Sequence, residues 1–99
     1  MNIATQKNEI LIARGIHGVR DIDMTLLVND QNGKSFILRG LEATIWDWLT
    51  LNYSYNKIVG LLATIFDLPI CKTEFRLNSI LREWVEKGLL KTQENIHHG

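Results

Sequence analysis

Two short apolar runs around an Asn-Gly turn, followed by three stretches of helical periodicity, predict an α+β domain. The expected architecture is a small three-stranded antiparallel sheet followed by three helices, winged-helix-like in outline, with the helices covering one face of the sheet. Three observations carry this. The segment MTLLVN-DQNG-KSFILR (residues 24–39) reads as a hairpin. From Leu41 onward the apolar residues recur every three or four positions. Strand signals precede helix signals, without the alternation of a parallel α/β fold.

Taken in order, residues 1–8 are polar and are expected to form a loose tail. Residues 9–13 (EILIA) are rich in Ile and Leu and are read as a first strand. The next stretch, RGIHGVRDID, holds Gly15 and Gly18. It is either an irregular link or a bend within a strand, and the sequence leaves both open. Residues 24–29 form the next strand, and Asp30, Gln31, Asn32 and Gly33 the turn, because Asn and Gly tolerate positive φ. The return strand runs over Lys34, Ser35, Phe36, Ile37, Leu38 and Arg39. Strict alternation puts Phe36 and Leu38 on one face, expected to be the core side, and Ser35, Ile37 and Arg39 on the other.

Leu41, Ile45, Trp48 and Leu49 mark a first helix of about three turns. Trp46 lies on its flank, and Asn52 can take a left-handed conformation near its end. Ser54 is placed to N-cap a second helix whose stripe is Ile58, Leu61, Leu62, Ile65 and Phe66. Pro69 ends that helix. A third starts between Ile70 and Thr73, carries Leu77, Ile80, Leu81 and Trp84, and ends at Gly88. Leu89 and Leu90 are expected to tuck beneath it. The domain is set at residues 9–91, with 92–99 a flexible tail.

Composition narrows the function. The 99 residues carry eleven Lys/Arg and eleven Asp/Glu, so the formal charge is zero, which points away from a nucleic-acid binder. On the third helix Lys72, Arg76, Arg82 and Lys87 face Glu74, Glu83 and Glu86, a net of +1, weak for a recognition helix. A winged-helix DNA-binding regulator is therefore the alternative reading. The single cysteine, Cys71, allows no internal disulfide and reads as a small buried hydrophobe near a helix start. The opening residues lack the apolar core of a signal peptide, and no apolar run reaches the roughly 18 residues of a membrane span. A cytoplasmic protein with no membrane association is expected.

No catalytic motif emerges. "GKS" at residues 33–35 ends like a phosphate-binding loop, but Val28 stands where that loop needs its first Gly, and a strand follows where it needs a helix. His17 is isolated, His97 and His98 are adjacent in the tail, and Asp21 and Asp23 read as solvated charge. No metal, cofactor or enzymatic activity is expected. Trp46 and Trp48 lie about 200° apart on a helix, so only one can face the core centre and the other sits at a margin. A marginal Trp either caps the core edge or anchors a partner.

The last strand of such a meander has a free backbone edge. Proteins normally protect such edges, and Lys34 and Arg39 could serve as charged gatekeepers. The other use of an open edge is β-augmentation, in which an extended peptide adds itself as a further strand. That peptide could also be a constant partner strand, in a purely structural subunit.

Three stretches carry a family resemblance: EATIWDWL (residues 42–49), SYNKIVGLLATIFD (54–67) and LNSILREWVEKGLL (77–90). With the apolar strand ending at Leu38 they resemble, in order and spacing, the PqqD-like domains, also called RiPP recognition elements. The resemblance covers residues 24–90. Departures fall at the helix ends, where Leu38-Arg39-Gly40 and Thr50-Leu51-Asn52 replace the family's Leu-Asn and Asp-Gly, and at Arg76, where the family carries an acid.

The resemblance implies a non-catalytic module that binds the leader of a ribosomally synthesised precursor peptide. The module delivers the core segment to a modifying enzyme, such as a radical S-adenosylmethionine enzyme or a leader peptidase. It implies a leader lying between the third strand and the third helix. The edge would come from Lys34 to Arg39. The helix wall would come from one of two flanks, Asn78, Arg82 and Val85 or Arg76 and Glu83, and the first is taken as the wall. A homodimer is also expected to be possible, by exchange of the N-terminal strand with Gly15 to Gly18 as the hinge.

Overall fold

The computed structural model describes residues 10–91. The 1–8 and 92–99 tails, Glu9, His97 and His98 lie outside the described residues. The expected three-stranded antiparallel sheet followed by three helices is present. Strands β1 (Ile16–Arg20), β2 (Met24–Asn29) and β3 (Ser35–Arg39) form an antiparallel sheet in the order β1-β2-β3. Helices α1 (Gly40–Thr50), α2 (Tyr55–Phe66) and α3 (Ile70–Glu86) follow.

The first strand is not where the apolar run is. Residues 10–13 do not enter the sheet; Ile12 makes an isolated antiparallel bridge with Leu90. Backbone bonds Ala13 N–H to Leu89 O (3.0 Å) and Lys91 N–H to Leu11 O (2.8 Å) flank that bridge. The run pairs with the chain segment after α3, where Leu89 and Leu90 are buried. The undecided Gly15–Gly18 stretch supplies the strand: Ile16 to Arg20 pair with Asn29 to Thr25. Gly15 turns the chain into it at φ +85°, and a Cβ there would lie 2.6 Å from Asp30 Oδ1. The positive φ favours glycine there, since any side chain would be strained in that conformation.

The hairpin is as the turn chemistry requires. Asn29 N–H donates to Lys34 O (2.9 Å) and Gly33 N–H to Asn29 O (2.8 Å). Asn29 Oδ1 and Asn32 Oδ1 accept from the N–H groups of Gln31 and Lys34. The inner face carries Thr25, Leu27, Phe36 and Leu38 toward the helices.

The core is Leu27, Leu38, Ala43, Ile45, Trp46, Leu49, Ile58, Val59, Leu62, Leu77, Trp84, Leu89 and Leu90. Truncating one of its buried leucines to Ala would cost about 2–5 kcal/mol. The tryptophans divide as helix geometry demands. Trp46 is buried and meets Trp84 edge to face, with ring centroids 5.3 Å apart. Trp48 sits at the margin, stacked on Tyr53.

The helix ends explain how the layers connect. After α1, Asn52 takes φ +65°, its N–H donates to Leu49 O, and Tyr53 N–H reaches back to Trp48 O (3.1 Å). These are the two bonds of a Schellman motif, and the Trp48–Tyr53 stack is its apolar contact. The same pair of bonds closes α3, from Gly88 to Val85 and from Leu89 to Trp84. Ser54 Oγ accepts from Lys57 N–H (3.1 Å) and caps α2 as expected. The expected α2 stripe is displaced in its last turn: Val59 joins Ile58 and Leu62 inside, while Ile65 and Phe66 are exposed. Among the described residues no helix is long and apolar enough to cross a membrane.

Candidate functional site

The free edge of β3 can be resolved residue by residue. In an antiparallel ladder, residues alternate between pairs that exchange hydrogen bonds and pairs that do not. On β3 the bonded positions are set at both ends, by Asn29 N–H to Lys34 O and by Gly40 N–H to Asp23 O (3.3 Å). With the register Leu27↔Phe36 and Thr25↔Leu38, the bonded residues are Lys34, Phe36, Leu38 and Gly40. The N–H and C=O groups of Ser35, Ile37 and Arg39 therefore point away from β2. No strand of the sheet lies on that side.

What lies near this edge is α3. At its C-terminal end the Lys87 ammonium stands over the Phe36 ring, 5.7 Å from the centroid, while also pairing with Glu83 (3.0 Å). Toward its N-terminal half an open cleft of about 870 Å³ separates α3 from the junction of β3 and α1. Arg39, Leu41 and Glu42 form one wall of it, and Lys72, Phe75, Arg76, Ser79 and Ile80 form the other, together with Cys71, which was expected to be buried and is instead exposed in the first turn of α3. A smaller cavity of about 180 Å³ adjoins it, sharing Leu41, Leu68, Arg76 and Ile80 and reaching down to Leu62, Phe66 and Leu77. Gly40, at φ +56°, turns the chain from β3 into α1 at the mouth of this cleft. Arg39 occupies the N-cap position of α1 and makes no side-chain cap, so Gly40, expected to serve as the cap, is instead the first helical residue.

The six strand residues singled out from sequence thus divide. Ser35, Ile37 and Arg39 offer backbone to the edge, Phe36 and Leu38 face inward, and Lys34 is exposed at the turn end. The helix residues divide differently. Asn78 turns toward α2, where its Oδ1 accepts from the Tyr55 hydroxyl (2.8 Å). Val85 is half-buried against the core, and Arg82 is exposed but does not line the cleft. The cleft is lined from the other flank, by Arg76, with Lys72 and Ser79 beside it. Burial and the Glu74 carboxylate together raise the Tyr55 pKa above its ordinary value.

Phe75, Leu68 and Lys72 were missed by sequence reasoning. Phe75 is 74% exposed and lies off the α3 stripe, so periodicity gives it no role. The available signal was a Phe on the polar side of an amphipathic helix. The lining carries three cations, Arg39, Lys72 and Arg76, against one carboxylate, Glu42, in a chain of zero net charge. Such a cleft suits an extended, acidic ligand bearing apolar side chains.

Compared with known protein families, curated proteins and solved structures, the chain matches none.

Proposed function

We propose that this chain is a non-catalytic recognition module that binds the leader segment of a ribosomally synthesised precursor peptide by strand addition and hands it to a modifying enzyme. The observation that carries the reading is the unpaired β3 edge at Ser35, Ile37 and Arg39, opening beside a cationic and apolar cleft. Main-chain hydrogen bonds along the edge supply affinity, and the cleft selects side chains. The bound segment would extend the sheet past β3, and its end beyond Arg39 would meet Phe75, Leu68 and Ile80. The resemblance of residues 42–49, 54–67 and 77–90 to PqqD-like domains is what narrows the added strand to a precursor leader.

The test is a titration of the protein with a fluorescent leader peptide encoded beside its gene, run in parallel with duplex DNA. Saturable peptide binding is expected, with DNA binding only weak and non-specific. Tight, salt-sensitive DNA binding without peptide binding would overturn the proposal in favour of a winged-helix regulator.

A further inference from the structure

The helices cover only one face of the sheet. On the other, alternation and register define three rows running across the strands. The middle row is Val19, Leu26 and Ile37, which are directly paired neighbours. They are 65%, 36% and 52% exposed. One flanking row is His17, Val28 and Ser35. The other is Asp21, Met24 and Arg39, with Asp21 held in line by its N–H bond to Met24 O (2.8 Å). The inward residues between them are accounted for: Arg20, for example, reaches Thr25 Oγ1 and Asp47 on the helix side. The outward face is thus an apolar band with opposite charges at two corners of one end.

We infer that this face is the contact surface for a second copy of the chain, packed sheet to sheet about a two-fold axis parallel to β2. Such an axis keeps each row over itself and exchanges its ends. Val19 then lies over Ile37 of the other copy, and Leu26 over Leu26. The charged row closes the same way, with Asp21 over Arg39 and Arg39 over Asp21, giving two equivalent ion pairs. Within one chain Asp21 and Arg39 are two strands apart, about 10 Å, with side chains projecting side by side, whereas across two packed faces at a similar spacing they point at each other. Neither enters an ion pair among the described residues. A two-fold axis across the strands would instead set Asp21 over His17, whose ring already bonds Asp30 at 2.8 Å, and Arg39 over uncharged Ser35. Charge complementarity therefore selects the parallel axis. Aligned sheets pack with a rotation of roughly 30°, which shifts the corners by a few ångströms, within reach of an Arg side chain.

Three strands about 4.8 Å apart and five residues at about 3.3 Å each make a face of roughly 15 by 17 Å, small beside the ~800 Å² per partner of a standard interface. The dimer is accordingly weak and concentration-dependent. Its contact surface leaves the backbone edge of β3 free and shares only Arg39 with the cleft lining, so dimerisation is read without any peptide present.

Sedimentation velocity on the full chain from about 5 to about 500 µM tests it, with far-ultraviolet circular dichroism checking each variant's fold. The wild type should pass from monomer to dimer across that range. Val19→Lys should abolish the transition, and Asp21→Arg should weaken it at least about fivefold by setting two arginines together. The double exchange Asp21→Arg with Arg39→Asp should restore it. A wild type that stays monomeric throughout, or a dimer indifferent to all three variants, would overturn the inference.

Discussion

Replacing Ile37 by proline tests edge-strand binding, provided the assay is run below the concentrations of the inferred dimer, whose middle row Ile37 shares. The Ile37 N–H points to the free edge, so the ladder to β2 loses no hydrogen bond. Proline is tolerated in an edge strand when its missing N–H would have faced solvent. The side chain is 52% exposed, so its replacement should change unfolding free energy by less than about 1 kcal/mol. A peptide added to β3, by contrast, loses one main-chain bond, worth about 0.5–1.5 kcal/mol, or about two- to twelvefold in Kd. The pyrrolidine ring also projects toward the incoming strand, so a loss of about tenfold or more is expected.

Leu38→Pro is the opposing control. It removes a ladder bond to Thr25 and a side chain only 3% exposed, and should cost more than about 4 kcal/mol. Fluorescence anisotropy with the labelled leader peptide reads affinity, and urea denaturation followed by tryptophan fluorescence reads stability. Undiminished peptide binding by a folded Ile37→Pro variant would refute strand addition. Unfolding of Ile37→Pro as severe as that of Leu38→Pro would refute the assignment of which backbone groups face the edge.

Four further outcomes are expected. Arg76→Glu reverses a cation on the cleft wall and should weaken an acidic leader roughly two- to fivefold near 0.1 M salt, less at higher salt. Asn78→Ala loses its bond to Tyr55 and should cost about 0.5–1 kcal/mol in denaturation while leaving peptide affinity unchanged, and a reversed pattern would move the wall to the other flank. Asp67 holds φ +54° after α2, a conformation that strains a residue with a Cβ, so Asp67→Gly should raise thermal stability by about 1 kcal/mol. The Tyr55 pKa lies above its ordinary value in the folded state, chiefly through burial. Its stabilising contribution is therefore complete below about pH 10 and is lost as pH rises through the folded value, and removal by Tyr55→Phe should flatten the alkaline limb of stability against pH.

Much of the fold was legible because local chemistry and final environment agree. Phe36 and Leu38 alternate with exposed neighbours and face the core side. Asn52, Ser54 and Gly88 do at the helix ends what their side chains, or the lack of one, make easy. Leu89 and Leu90 follow a helix stop and are buried. Where local chemistry was silent, reading failed. Ile16, Gly18 and Arg20 make a poor inward face by composition, yet they form a strand because β2 offers them a partner in register. The more apolar residues 10–13 had two possible partners, and the Leu90 segment took them. Ile65 and Phe66 keep the helical period, but the last turn of α2 lies partly outside the core, and Phe66 lines the small cavity.

The sequence by itself determined the order of elements, the hairpin, and the existence of a strand with an unpaired edge. These follow from period, turn residues and caps, which act over a few neighbouring positions. The tertiary structure alone decided which flank of α3 faces β3. Arg76 and Asn78 are two residues apart and equally placed beside the apolar stripe. Only the path from α2 through Asp67 and Pro69 sends Asn78 to Tyr55 and Arg76 to the cleft. The first strand's share of the outer face was decided there too, because Val19 joins Leu26 and Ile37 only once residues 16–20, and not 9–13, pair with β2.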